Sequence, residues 1–450
     1  MGREKQKTQE IAVPDFVGRL IRRLQSKGYE AYVVGGAVRD RCLNHPVSDW
    51  DVATSAPPRR IRAVFKNIRS FSLKHETVTL VEEGRHYEVS SFRGGKGLGK
   101  AIQEDLAHRD FTINAMAYDA TEREIIDPFG GTRDISRKLV KAVGRPGDRF
   151  REDPLRLIRA VRIATELGFK IEDHTSRVIA QMGHQLSGVA RERIRDELVK
   201  ILTTRKPSRG LDLLRKFGLL QEFLPELLEG YRRKQNSYHQ HTIYRHILET
   251  VDQVEPDPVM RLTALLHDIA KPRHRERIKE EFHFPGHESA GAVMASEIMM
   301  RLKFSKGVIQ EVSHLIRCHL PMTSYDAPWS AESLRRLIRR VGPKNIDRFF
   351  LFSRADILSH GMKDHRLDAL VKLHRRAKRI ISRPLPLETT HLAIGGEEVM
   401  EIFGLRPGPK VGKILEYLMD RVTAHPELNT EEKLLALLED MDVGKQSRCL

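Results

Sequence analysis

The run Val33-Val34-Gly35-Gly36-Ala37-Val38-Arg39-Asp40, followed by Asp49-Trp50-Asp51-Val52-Ala53-Thr54, constrains this chain more than any other feature. The apolar runs Ala31–Gly35 and Trp50–Thr54 in this region read as strands. Side chains at i and i+2 of a strand share a face, so Asp49 and Asp51 are expected to converge. Two convergent carboxylates with little other ligand chemistry suit Mg²⁺, which usually takes one or two carboxylates plus substrate phosphates. Gly35 and Gly36 let backbone amides approach a bulky anion, and Arg39 adds charge there. Taken alone, an Asp-x-Asp is more often a solvated acidic pair at a strand end. The flanking glycines and arginine turn the reading toward metal-dependent nucleotidyl transfer.

At 450 residues the chain is long enough for several domains with a buried core. Its net charge of +17 points to a polyanionic partner, because such a field attracts phosphate backbones. A membrane surface would use the same charge, but no apolar run approaches the roughly 18 residues of a membrane helix. The first residues also lack the apolar segment of a signal peptide. Cys42, Cys318 and Cys449 fit neither a disulfide framework nor a zinc motif, which suits a reducing cytoplasm.

Residues 12–145 mix short β-like runs with helices. Strands are expected at Ala31–Gly35, Trp50–Thr54, Thr77–Glu82, His86–Ser91 and Ala115–Asp119. From Asp153 the period becomes helical, as in Leu155–Leu167 ended by Gly168, and almost everything beyond is expected to be helix. The fold class is therefore α+β: a mixed-sheet head on an all-α remainder. Expected divisions are a head at 12–145, a neck at 146–207, a body at 208–382 and a tail at 383–450, with a linker around Arg383-Pro384-Leu385-Pro386.

Further motifs follow the first. Arg109 offers a rigid fork for phosphate or ribose oxygens and Asn114 a side-chain amide; an isolated Arg-Asp pair is usually only a surface ion pair. Asp127-Pro128-Phe129-Gly130-Gly131 reads as a structural turn. Asp153, Arg156, Arg159 and Arg162 are spaced three apart, so on one helix they form a polar ridge. An acceptor beside a multi-donor fork can read a base edge. The alternative is a solvent-facing salt-bridge ladder.

These segments, in this order, resemble the class II tRNA nucleotidyltransferases, the family of CCA-adding enzymes and bacterial poly(A) polymerases. The resemblance runs through G-G-A-V-R-D and D-W-D at 35–51, R-D-F-T-I-N-A at 109–115, D-P-F-G-G at 127–131, E-D-P-L-R at 152–156 and E-R-I-R-D-E-L at 192–198. It implies a polymerase-β-like head, and a neck, body and tail that grip the tRNA acceptor arm. Asp49 and Asp51 would hold Mg²⁺, with Glu88 a third carboxylate acting as base or helper ligand. Gly35, Gly36, Arg39, Arg109 and Asn114 would hold the nucleotide's triphosphate and ribose. Asp153 and Arg156 would pair with the base of CTP or ATP, supported by Arg159 and Arg162.

The segment Lys74-His75-Glu76-Thr77-Val78 resembles K-H-G-T-V of CCA-adding enzymes, with Glu76 departing from Gly. Only residues 93–103 separate Phe92 from Glu104, where CCA-adding relatives carry a flexible loop about twice that length. In the family a shortened loop marks enzymes that add only C-C, so the expectation leans to CC addition, with a separate A-adding enzyme completing the end. Full CCA addition is the alternative, then a poly(A) polymerase, then an RNA-binding protein with an inactive head. In the body, His246, His267, Asp268 and Asp356 resemble the ligands of HD phosphohydrolases, and His287 and His319 fall where further ligands or phosphate contacts occur there. Imidazole with carboxylate suits a divalent transition metal or Mg²⁺ rather than a closed zinc site. Phosphatase or 2′,3′-cyclic phosphodiesterase action is the activity this implies; a purely structural metal is the alternative. In the tail, Lys410 and Lys413 are candidate RNA-phosphate contacts.

Overall fold

The computed structural model describes residues 11–72, 76–94, 97–236, 240–320, 328–360, 366–382 and 389–444. Lys74 and His75 of the K-H-E-T-V segment, the residues 383–386 expected as a linker, and Cys449 lie outside the described residues. The chain forms two compact units, Met1–Pro225 and Glu226–Leu450.

The first unit is built on a mixed sheet. Its strands are β1 (Ala31–Val34), β2 (Asp51–Thr54), β3 (Arg69–Ser72), β4 (Thr77–Glu82) and β5 (Arg85–Ser91). A separate hairpin, β6 (Arg93–Gly94) with β7 (Gly97–Leu98), precedes β8 (Ala117–Asp119) and β9 (Glu124–Ile126). The sheet order is β3-β4-β5-β2-β1-β8-β9, with β2 and β5 parallel and the other neighbours antiparallel. β3 and β9 were not expected. Both are edge strands with a weak apolar pattern (R-S-F-S and E-I-I), so their neighbours' hydrogen bonds, rather than their own residues, create them.

Four expected strand ends differ, one only in that β5 begins at Arg85 rather than His86. Gly35 leaves β1 at φ +73 to start the helix Gly36–Cys42. Trp50 and Asp49 precede β2 rather than belonging to it, so Asp49 reaches the site from a loop. Ala115 follows a 3-10 turn, Thr112–Asn114. The helix Asp15–Gln25 turns Phe16, Val17, Leu20, Ile21 and Leu24 inward and its arginines outward, the spacing of a helix with one apolar face.

The neck helix also departs from expectation. It begins at Arg156, not Leu155, and Asp153 sits outside it at φ −150, ψ 98. The cause is Pro154, whose ring drives the preceding residue out of the helical region. The D-R-R-R ridge is thereby cut. Arg156–Leu167 buries Leu157, Ile158, Val161 and Ile163 and ends at Gly168 in the left-handed region (φ 71). The later chain is not wholly helical: Leu139–Val140 pairs in parallel with Lys170–Ile171, and Glu276–Ile278 pairs with Glu281–His283.

The second unit is helical around several apolar clusters. One joins Leu334, Leu337 and Ile338 to Phe349, Phe350 and Leu370; another, in the tail, joins Val399, Ile414, Leu418, Leu434 and Leu438. No helix of the described residues is long and apolar enough to cross a membrane.

Candidate functional site

The first unit carries a cleft of about 640 Å³ lined by Gly35, Gly36, Arg39, Asp49, Asp51, Arg109, Asn114, Arg156, Arg159 and Arg162, all expected from sequence. Arg93, Asp110, Glu197 and Lys200 line it as well, and sequence reasoning gave them no role. Asp110 and Glu197 stand inside motifs already noticed, so their signal was present but unread.

Asp51 opens β2, and the pairing of Val52 with Val89 sets Glu88 beside it on the parallel neighbour β5. Glu88 is exposed and is not part of the cleft wall, but its charge reaches Asp51. Burial, then Glu88 and Asp49, push the Asp51 carboxyl up to about 6, although Arg109 and Arg93 oppose them. A cation at this point would relieve that accumulation of negative charge, so the donor set fits a divalent ion. Gly35 has a specific steric reason: a Cβ there would stand 2.9 Å from Arg109 Nη1, so only glycine lets Arg109 lean over the turn.

Most of the cleft arginines are held by carboxylates. Arg39 donates to both oxygens of Asp40 (2.8 and 3.0 Å) and to Asn114 Oδ1 (2.8 Å). Arg109 donates through Nε and Nη2 to the buried Asp105 (3.0 and 2.9 Å). Arg159 donates to Asp110 (3.2 Å), and Arg162 to Glu197 (2.7 Å) and Glu166 (2.9 Å). Burial alone would raise the Asp110 carboxyl, but Arg159 and Asn114 outweigh it and hold it below its ordinary value. Arg156 is largely committed to the protein, donating to Glu152 (2.9 Å) and to the carbonyls of Arg149 (3.1 Å) and His108 (2.8 Å). Asp153 is not brought to the cleft wall. Both its oxygens accept from Arg193, at 3.1 and 2.8 Å. The Asp127 turn is structural as expected, accepting from the Gly131 and Thr132 amides at 2.7 and 2.9 Å.

The second unit gathers all the expected histidines and aspartates. Three trios each place ligand atoms within 4.8 Å of one another: His246, His267 and Asp268; His246, Asp356 and His360; Asp268, His287 and His319. His360 was missed because nothing in its local sequence separates it from an ordinary helix-end histidine. Each ring is oriented through Nδ1: His267 faces the Ala264 carbonyl (2.9 Å), His287 that of Phe284 (2.6 Å) and His319 that of Ile316 (2.8 Å). His246 Nδ1 meets Ser359 Oγ at 2.9 Å. The Nε2 atoms therefore face inward, His246 to His267 at 3.3 Å and His287 to His319 at 3.2 Å. Backbone partners on one ring nitrogen with the other directed to a common centre are the outer-sphere pattern of a metal site.

The charges agree with that geometry. Burial works to raise Asp268, but His267 and the Lys271 ammonium, 2.6 Å away, hold it well below the usual range. Burial lowers His246 to about 4 and His287 to about 3. Burial would lower His267 as well, but Asp268 and Asp356 raise it to about 10. Without a cation, the cluster keeps a proton on His267 between two carboxylates, where a divalent ion would replace it. A cavity of about 410 Å³ opens onto Asp268, Lys271, His287, His319 and Asp356.

Comparison with known proteins finds family matches in both units. Residues 31–141 match the poly A polymerase head domain, 168–230 the probable RNA and SrmB-binding site of polymerase A, and 242–380 the HD domain. The chain is 30% identical over 432 residues to a CCA-adding enzyme of Pediococcus pentosaceus, covering 93% of this chain and 95% of that one. It is also 30% identical to an A-adding tRNA nucleotidyltransferase of Deinococcus radiodurans, over 91% of this chain and 95% of that one. The solved Bacillus stearothermophilus CCA-adding enzyme in complex with CTP superposes with a TM-score of 0.70 at 27% identity, covering 97% of this chain and all of that one. The expected restriction to C-C is not supported by these relatives. With its mixed-sheet head, helical remainder and HD domain, the chain belongs to the CCA-adding tRNA nucleotidyltransferase family.

Proposed function

We propose that this protein builds the CCA end of tRNA without a nucleic-acid template, taking CMP from CTP and AMP from ATP and releasing pyrophosphate. The observation that carries the reading is the single cleft in which Asp49 and Asp51 face Arg39, Arg109, Arg159 and Arg162. Mg²⁺ held by Asp49 and Asp51 would supply neutralisation of triphosphate charge and acidification of the attacking 3′ hydroxyl. Glu88, next to Asp51, adds a third carboxylate for that proton. Arg39, Arg109 and Asn114 hold the triphosphate and ribose, with Gly35 and Gly36 leaving room for them. Arg159 and Arg162 present donors to the base, while Arg156 beside them is tied to Glu152 and two carbonyls. A base-reading role for Asp153 requires its release from Arg193.

In this reading residues 12–145 do the chemistry, 146–207 select the nucleotide, and 208–382 carry the HD centre. Residues 383–450, with Lys410 and Lys413, bind the tRNA, and tRNA maturation belongs in the cytoplasm. One observation favours a second reading, CC addition. The segment after Phe92 is a short hairpin tied down by Gly99 N donating to Phe92 O (2.7 Å) and Lys100 N to Glu104 (3.0 Å). Purified protein, Mg²⁺ and tRNA transcripts ending at the discriminator base, at C and at C-C decide between them. Growth of the C-C transcript by one A supports CCA addition. Arrest after two C supports CC addition with a separate A-adding partner, and no growth at all rejects both.

The HD centre we read as a phosphohydrolase-type site holding a divalent transition metal or Mg²⁺ on His246, His267, Asp268 and Asp356, with His287 and His319 facing the same centre. Elemental analysis of the purified protein checks this. Wild type is expected to retain metal that His267→Ala loses, and equal metal content in the two would reject the assignment.

A further inference from the structure

Six arginines line the nucleotidyl-transfer cleft, and five of them have a carboxylate within salt-bridge distance. Arg93 is the exception: among the described residues no carboxylate lies within 4.0 Å of its guanidinium. Its backbone, by contrast, is fixed. The Arg93 amide donates to Asp105 Oδ1 at 3.1 Å, the same buried carboxylate that anchors Arg109. Gly99 closes the hairpin against it so tightly that a Cβ at position 99 would stand 2.4 Å from the Arg93 carbonyl oxygen. Arg93 and Arg109 are also the two cations that bear on Asp51. An unneutralised, solvent-reachable guanidinium on a fixed backbone, next to the metal-binding carboxylate, is suited to a mobile polyanion.

We infer that Arg93 binds the β- and γ-phosphates of the incoming nucleotide, the part that leaves as pyrophosphate. In the transfer step the tRNA 3′ oxygen bonds to the α-phosphorus as the bond to the β-phosphate oxygen breaks, and Arg93 holds the departing anion. Both CTP and ATP carry this group, so Arg93 serves each addition equally and does not choose the base. The inference rests on the transfer reading above, and it assigns the foot of the short hairpin a role in anion binding that is independent of hairpin length.

The test is calorimetric titration of Mg-pyrophosphate into the full chain and into R93Q and R93K, without RNA, alongside steady-state extension of tRNA. R93Q should weaken pyrophosphate binding and raise KM for CTP and ATP alike by about 10- to 100-fold, the effect of losing a charge-assisted contact. Its KM for tRNA should not move, and R93K should recover part of the loss. Since Arg93 makes no ion pair among the described residues, R93Q should unfold at the wild-type temperature. Pyrophosphate affinity within twofold of wild type, or a defect confined to the KM for tRNA, would overturn the inference. Failure of the wild type to extend tRNA would instead remove the transfer reading, while the pyrophosphate titration still judges Arg93.

Discussion

Burial, Glu88 and Asp49 disfavour the charge of Asp51 and push its carboxyl up to about 6. A carboxyl whose folded value is raised stabilises the fold below its unfolded value, and that contribution is lost as pH rises through 6. At pH 7 the metal-free protein therefore carries a destabilising Asp51 charge. Asp51→Asn should raise the metal-free unfolding temperature, a gain of about 1–3 kcal/mol, while abolishing transfer. Mg²⁺ should stabilise wild type more than it stabilises Asp51→Asn. Calorimetry with and without Mg²⁺ checks this; a lower metal-free Tm for the variant would show that the carboxyl is favourably placed instead. Asp49, Asp51 and Arg39 were legible because their chemistry is crowded into a few residues of sequence. Arg93 was not, since what distinguishes it is the carboxylate that its neighbours have and it lacks.

At the level of elements, one proline and one glycine shape the neck. Pro154 separates Pro146–Glu152 from Arg156–Leu167 and leaves Asp153 facing Arg193. Helical periodicity locates Arg156–Leu167 but does not extend back through Pro154, so Asp153 stands off the arginine ridge. Gly210 lies where the helix Pro207–Lys216 meets its neighbours: a Cβ there would come within 2.6 Å of Ile201 Cγ2 and 2.8 Å of Thr165 Oγ1. Both contacts are on helices that carry cleft residues, Thr165 with Arg162 and Ile201 with Glu197. Gly210→Val should therefore destabilise by about 1–3 kcal/mol through overpacking and also reduce transfer, by displacing the Arg162–Glu197 pair. Urea unfolding at unchanged slope, read with extension rate, checks both; an unaltered midpoint would mean the helices can part without cost.

For the whole molecule, the change from β-like runs to helical periodicity predicted the α+β class, and the net charge of +17 predicted a polyanionic partner. The two compact units each hold one constellation, and their ligands illustrate what sequence carries. His267 and Asp268 are adjacent, yet His246 and Asp356 reach them across 21 and 88 residues, a convergence that the family pattern anticipated and spacing alone does not. The sequence by itself determined the alphabet of the site: glycine for the turn, paired aspartates for a cation, arginines for phosphate, imidazoles for a metal. Those are properties of side chains and short-range backbone geometry. Only the tertiary structure decided which arginines are neutralised, that Glu88 stands beside Asp51, and that Asp153 pairs with Arg193. Each of these depends on strand register and helix packing between residues distant in the chain, where charge and burial are set by neighbours that local sequence does not name.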